Sequence, residues 1–425
     1  MLQANTIRQE RERILEGLTK RHFPDLGIID RILALDDDRR KYQASGDEIL
    51  AEINRLSKQI GDLFKSGQAA EANALKEEVA ARKETLKDVQ EHQDRTAVQL
   101  EELLITVPNI PHSSVPEGRT PEDNEVFQDW TKPMPDLPPD AKPHWELAEA
   151  HGIIDFPLGV KITGSGFPLY RGKGASLQRA LINFFLDEAR QAGFEEIQPP
   201  LMVNADSARA TGQLPDKEGQ MYYVEKDDLY LIPTAEVPVT NIYRDVILEE
   251  KQLPIKMTGY TPCFRREAGA YGKDVRGLNR VHQFDKVEIV VIDHPSRSYQ
   301  TLDMMLDHVR GLLDKLELPY RILRLCGGDM SFTSALTYDF EVWSAAQGRW
   351  LEVSSVSNFE TFQSHRMKLR YRPEDDKKTQ LPHTLNGSAL ALARIVAALL
   401  ENNQDSFGIR IPEVLHRYTG FDRIP

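Results

Sequence analysis

Cysteine is nearly absent from this 425-residue chain: Cys263 and Cys326 are the only two, too few and too far apart for a disulfide framework or a four-cysteine zinc site. That scarcity fits a reducing compartment. No stretch approaches the roughly 18 apolar residues needed to cross a bilayer, and Met1-Leu2-Gln3-Ala4-Asn5 runs into charged residues rather than an apolar leader core. A cytoplasmic protein with no membrane partner is expected. Positive charge is in deficit too: 53 Lys and Arg face 66 Asp and Glu, a net charge of -13. Such a chain repels a polyanion at long range, so contact with a nucleic acid would have to come from local basic clusters and shape. Glycine-rich phosphate loops are also missing. Gly164, Gly166, Gly172 and Gly174 fit neither G-x-G-x-x-G nor the Walker spacing, which argues against a Rossmann or P-loop nucleotide site.

What is present divides into two parts, as the length requires. From about Ile32 to Val107 the chain is rich in Glu, Lys, Gln and Ala, with no proline before Pro108. Ile49, Ile53, Leu56, Ile60 and Leu63 step by four, three, four and three, the a/d seam of a coiled coil. After a break at Lys65-Ser66-Gly67-Gln68, residues Leu75, Val79, Leu86, Val89, Leu100 and Leu103 keep the register, with Gln93 and Thr96 as polar seam positions. The pattern predicts an antiparallel helical hairpin over residues 1–107. Its charge does not make it a basic arm, because residues 36–102 hold 11 Lys or Arg against 16 Asp or Glu. Arg39, Arg40 and Lys41 near its base and Arg55, Lys58 and Lys65 toward its tip are candidate RNA contacts, and equally ordinary solvated charges. On periodicity alone the hairpin serves as well for dimerisation or spacing.

Nine prolines between Pro108 and Pro143 preclude a helix and predict an extended connector over residues 108–143. Beyond it, residues 144–425 alternate short β-rich runs with helices. Leu229–Ile232, Val287–Ile292 and Trp350–Val353 are examples, and strands joined by loops predict an antiparallel sheet in an α+β fold.

Polar residues at core-like positions in this part call for a reason. Arg265-Arg266-Glu267 ends an apparent strand, Met257 to Phe264, before a glycine-containing loop, Ala268 to Lys273. An arginine there can grip a phosphate with its planar fork, or merely decorate a hairpin. Arg394 sits in an apolar run that predicts a helix from near Ser388, where a buried guanidinium needs an anion, either a distant carboxylate or a phosphate. Thr234, Glu236, Glu288, Glu352, Ser354 and Ser355 would suit a hard cation or an ammonium group, or would neutralise the arginines.

Taken in order, these motifs resemble those of the class II aminoacyl-tRNA synthetases, and nearly the whole chain resembles the bacterial type of seryl-tRNA synthetase. The resemblance is carried by the helical arm, Val107-Pro108-Asn109-Ile110-Pro111, Gly193-Phe194 through Pro199-Pro200, and Thr234-Ala235-Glu236-Val237-Pro238. It continues through Phe264-Arg265-Arg266-Glu267-Ala268-Gly269 and His282-Gln283-Phe284-Asp285-Lys286-Val287-Glu288. Glu352-Val353-Ser354-Ser355 with Ser357-Asn358-Phe359, and Leu385-Asn386-Gly387-Ser388 through Arg394 to Glu401-Asn402, complete it.

The resemblance implies a catalytic antiparallel sheet flanked by helices, a homodimer whose interface includes Gly193 to Pro200, and an arm that reads the long variable arm of tRNA(Ser) by shape. tRNA(Sec) is implied as a second acceptor. It also implies roles: Arg265 on the α-phosphate, Glu267 on the adenine amino group, Phe284 stacked on adenine near Val281, Arg394 on the γ-phosphate, and Glu352 with Ser355 on Mg²⁺. Arg266, Val353 and Ser354 would complete the ATP site. Thr234, Ala235, Glu236, Arg265, Glu288 and Ser388 would line a pocket for L-serine, with Arg265 and Arg394 as the catalytic pair. ATP and Mg²⁺ are the expected cofactors, and no zinc is expected. Two positions depart from the family pattern, Ala389 where glycine is common and Val356 where cysteine is common, and neither carries an assigned role. An adaptor that has lost catalysis is disfavoured by Arg265, Glu267, Glu352 and Arg394, and a ligase that charges a carrier protein is disfavoured by the arm.

Overall fold

In the computed structural model, which describes residues 1–216, 219–267 and 276–425, the chain forms two compact units, Met1–Pro108 and Asn109–Pro425. The first contains α1 (Ala4–Gln9), α2 (Arg11–Lys20), α3 (Ile28–Lys65) and α4 (Ala69–Leu104). At about 1.5 Å per residue, the 38 residues of α3 form a rod of roughly 57 Å. Ile53, Leu56 and Val79 are buried in its seam with Ile49, Ile60, Leu75 and Leu86 packed on them, and Gly67, at φ 81°, makes the turn between the rods. One of the two predicted polar positions, Gln93, forms a rung. Gln93 Nε2 donates to Gln43 Oε1 at 2.5 Å, the Tyr42 and His92 rings stack, and buried Thr96 donates back to His92 O. Near the base the buried residue is Leu104 rather than Leu103, because a straight α-helix drifts by about 20° per heptad from a strict seven-residue repeat.

The second unit is built on eight strands: β1 (Glu125–Gln128), β2 (Glu195–Glu196), β3 (Ile255–Phe264), β4 (Gln283–Asp293), β5 (Tyr320–Arg324), β6 (Leu336–Ser344), β7 (Arg349–Asn358) and β8 (His383–Ala391). Their order is β1-β5-β6-β7-β8-β4-β3-β2, antiparallel except for the outermost pair, β2 with β3. Of the residues read as a connector, 108–143, all but Pro108 cluster with this unit. They supply β1, and Asn109 Nδ2 donates to Thr333 O and Phe359 O, both at 2.9 Å. Leu229–Leu231, read as part of a longer strand, is a short strand in a separate three-stranded sheet.

Strand alternation decides which side chains reach the site. Val287, Ile289 and Val291 of β4 enter the main core with Phe184 and Phe185 of α5 (Lys173–Gln191), Met305 and Val309 of α6 (Ser298–Lys315), and Ile395 and Leu399 of α7 (Leu392–Asn402). Glu288, Val290 and Ile292 therefore project from the opposite face, where Val290 and Ile292 pack with Ala235, Val239 and Met257. Glu288 lies opposite Ser388 in the β4–β8 ladder. Ser388 is thus a strand residue, and the helix expected from it begins four positions later, at Leu392. Among the described residues no helix is long and apolar enough to cross a membrane.

Candidate active site

Across that face runs a cleft of about 570 Å³. At one end the loop before a short helix, Glu236–Thr240, sets Thr234 against β4. Thr234 Oγ1 donates to Glu288 Oε2 at 2.9 Å and accepts from Lys286 Nζ at 2.9 Å and from the Glu236 amide at 3.2 Å. Lys286 Nζ also pairs with Glu288 Oε2 at 2.6 Å. Asn386 Nδ2 donates to Glu288 Oε1 at 2.7 Å and to Glu236 Oε2 at 3.2 Å, and Gln363 Nε2 to Glu236 Oε1 at 2.6 Å. Burial first, then the charge of Glu288, pushes the Glu236 carboxyl up to about 7. With one buried lysine between two buried acids, the second carboxyl is poised to ionise when an ammonium arrives. Ser354 Oγ is spent on Ser388 O at 2.6 Å, so the two serines brace neighbouring strands where they meet the cleft.

The other end is basic. Arg265 Nε donates to Pro233 O at 3.3 Å, and its guanidinium lies 5.4 Å from the centre of the Phe284 ring. Glu267 pairs with Arg280 at 2.9 Å. Arg394, in the first turn of α7, donates from Nε to Asn279 O at 3.0 Å and from Nη1 to Glu352 O at 2.6 Å, with Glu352 Oε2 at 3.6 Å. Its side chain is 25% exposed. The buried guanidinium expected from its apolar neighbours is therefore one at the rim of the cleft, reached from the helix end rather than from its cylinder.

Glu352 and Ser355 also line the cleft. Ser355 gives its proton to Asp339 Oδ1 at 2.6 Å, leaving its lone pairs available to a cation, and the Glu352 side chain is 51% exposed. These hard oxygen donors fit Mg²⁺. Among the described residues no group of three or more His, Cys, Asp or Glu is placed to hold a metal on protein ligands alone, and the rest of a Mg²⁺ shell would come from water and phosphate oxygens. Burial, then the Glu352 charge, raises the Asp339 carboxyl well above its ordinary range.

Of the predicted residues, Thr234, Glu236, Arg265, Glu267, Val281, Phe284, Glu288, Glu352, Val353, Ser354, Ser355, Ser388 and Arg394 line this one cleft. Ala235 is buried behind it in an apolar cluster, and Arg266 lies over the Tyr222 ring at 4.6 Å and donates to Met221 O. Ala268 and Gly269, with the loop to Lys273, lie outside the described residues. Among the polar partners, Lys286 and Asn386 stood in the sequence only as members of motifs, without a role, and Gln363 and Asn279 were not named at all. Lys286 was readable as a lysine in an apolar strand, whereas Gln363 and Asn279 gave no local signal. In the arm, Arg39 and Arg40 pair with buried Asp36, Lys41 with Asp38, Arg55 with Glu52 and Lys65 with Asp62. Lys58 is exposed.

Comparison with known proteins finds relatives along the whole chain. Residues 1–111 match the family model described as Seryl-tRNA synthetase N-terminal domain, and residues 222–403 match tRNA synthetase class II core domain (G, H, P, S and T). The chain is 52% identical to the serine–tRNA ligase of Salinibacter ruber over 425 residues, all of this chain and 99% of that protein. It is 46% identical to that of Prosthecochloris aestuarii over 433 residues, 100% and 99% of the two chains. The crystal structure of seryl-tRNA synthetase from Pyrococcus horikoshii complexed with ATP superposes with a TM-score of 0.91 at 34% identity, covering 100% of this chain and 99% of that one. The chain belongs to the seryl-tRNA synthetase family, the ATP-dependent ligases that join serine to tRNA.

Proposed function

We propose that in this member of the family the two ends of the cleft divide the first half-reaction. The acidic end, Thr234, Glu236, Glu288 and Ser388, takes L-serine. The basic end, Arg265, Glu267, Val281, Phe284 and Arg394 with Glu352, Val353, Ser354 and Ser355, takes ATP. The observation that carries this reading is the surplus of buried carboxyl groups around Thr234 and Glu288, in the same cleft as two arginines.

Serine's carboxylate attacks the α-phosphorus in line, its P–O bond forming as the bond to pyrophosphate breaks. Arg265 and Arg394 offset the charge that develops on the phosphates. Mg²⁺, held by Glu352 and Ser355 together with the phosphates, would neutralise the leaving group. A terminal ribose hydroxyl of tRNA(Ser) then attacks the activated carbonyl and AMP leaves, with tRNA(Sec) as the second acceptor to try. Thr234 and its polar neighbours favour serine because alanine leaves buried hydrogen-bonding groups unpaired, a discrimination of about 10⁴ in sites of this kind.

The arm, residues 1–107, is assigned to the tRNA, and residues 144–425 to catalysis. A second copy of the chain would cover the segment ending at Pro199-Pro200, beside which Leu201 and Met202 are 39% and 46% exposed. Light scattering of the purified protein tests that dimer, and a monomeric mass excludes it.

The deciding experiment is exchange of labelled pyrophosphate into ATP with Mg²⁺, run with each of the twenty amino acids and no tRNA. Exchange with serine alone supports the reading. Exchange with another amino acid reassigns the pocket, and none from folded protein defeats the division of the cleft.

A further inference from the structure

Arg394 is held by two backbone carbonyls, and only one of them is fixed by the sheet. Glu352 O belongs to β7, whose ladder pins it. Asn279 O lies in no strand, between the glycine turn at Gly277 and the start of β4 at Gln283. Something else must hold it. The Leu278 amide donates to His144 Nε2 at 2.8 Å. His144 Nε2 is therefore an acceptor, the ring proton sits on Nδ1, and it is given to Glu401 Oε1 at 2.7 Å. The Asn279 and Gln347 amides pair in both directions, at 3.0 and 3.3 Å. Gln347 Nε2 also reaches Ser344 Oγ at 2.7 Å and Glu401 Oε1 at 3.2 Å, and Ser344 Oγ donates to the other Glu401 oxygen.

The side chains of His144 and Glu401 are fully buried and Asn279 is 3% exposed. Gly277, at φ +64°, is required there, because a Cβ would stand 2.3 Å from His144 Nε2. Glu401 and Arg394 are seven residues apart on α7 and share one helix face. The helix that presents the arginine thus also carries the anchor for the carbonyl that aims it.

We propose that Gln347, His144 and Glu401 are positioning residues for nucleotide binding: they fix the Leu278–Asn279 backbone, and Asn279 O in turn sets the Arg394 guanidinium. A buried carboxylate with this many donors is costly to assemble where an apolar cluster would pack as well, and what it secures is the direction of a fork whose hydrogen bonds are sensitive to small displacements. The proposal rests on the assignment of the arginine end to ATP.

Its test uses the full chain, with ATP affinity measured by calorimetry and the KM values for ATP and serine by pyrophosphate exchange. The variants are Gln347→Leu, Asn279→Ala, which keeps the carbonyl and removes only the amide link, and Arg394→Ala as control. Both positioning variants are expected to weaken ATP about tenfold, the loss of roughly one well-aimed hydrogen bond, while the KM for serine stays within about twofold. Unchanged ATP affinity in both, with Arg394→Ala still weakening it, overturns the proposal. A parallel rise in both KM values with a lowered Tm also overturns it, since that is the mark of a purely structural network. If Arg394→Ala itself leaves ATP binding intact, the assignment of that end to ATP fails first and this proposal falls with it.

Discussion

Glu236 and Glu288 share a single amide: Asn386 Nδ2 donates to both, at 3.2 and 2.7 Å. Lys286 answers Glu288 at 2.6 Å, so Glu236 is the acid left with neutral partners. Its carboxyl, pushed by burial and then by Glu288 to about 7 from an ordinary 4.5, holds a proton over a range in which the unfolded chain has lost it. The stability this contributes is fully present below pH 4.5 and is lost as pH rises through 7. An ammonium placed beside it reverses the preference. Serine binding near pH 7 is expected to release a fraction of a proton and to tighten as pH rises. Calorimetry in buffers of different ionisation enthalpy measures that release, which should vanish in Glu236→Gln.

Arg265→Ala and Arg394→Ala should each slow pyrophosphate exchange by at least about 10². Neither should change Tm greatly, since both side chains lie at the cleft rather than in the core. Arg394→Lys should restore little, because a single ammonium does not reproduce a fork that donates to Asn279 O and Glu352 O at once. The checks are exchange rate and thermal melting on the same preparations.

Closing the hairpin at the Gln43–Gln93 rung, by replacing residues 44–92 with a short turn, should leave serine-dependent exchange intact and, if the arm holds the tRNA as proposed, lower the rate of tRNA(Ser) aminoacylation by about 10² or more. Full aminoacylation by the shortened protein would remove the arm from recognition.

Glu352→Gln and Ser355→Ala should raise the Mg²⁺ concentration for half-maximal exchange by about tenfold or more. Excess EDTA should stop exchange in the unaltered protein, and added Mg²⁺ should restore it. An unchanged Mg²⁺ requirement in both variants would place the cation elsewhere.

The coiled-coil arm was legible because its signal is local: Ile49, Ile53, Leu56 and Ile60 announce the seam by spacing alone, and the structure buries it where expected. The strands around Val287–Ile292 and Trp350–Val353 were legible for the same reason. Ser388 was misread because Ala389 to Leu400 is one apolar run, and a fully buried strand and a fully buried helix look alike by periodicity. Only the β4–β8 ladder separates them. Arg394 was taken as buried from its sequence neighbours, whereas its place in the first turn of α7 lets it leave the apolar face. Gln363 reaches Glu236 across 127 positions, a contact that belongs to the fold and not to any local pattern.

The alternation of β4 also acts as a reading frame. Glu288 faces the cleft because Val287 and Ile289 face the core, and a slip of one residue would send the carboxylate into hydrocarbon and turn a branched aliphatic toward the ligand. A chain that mispaired here would lose both its core packing and the carboxylate of its cleft. Assembly of the core and assembly of the cleft are thus a single event, set by one register.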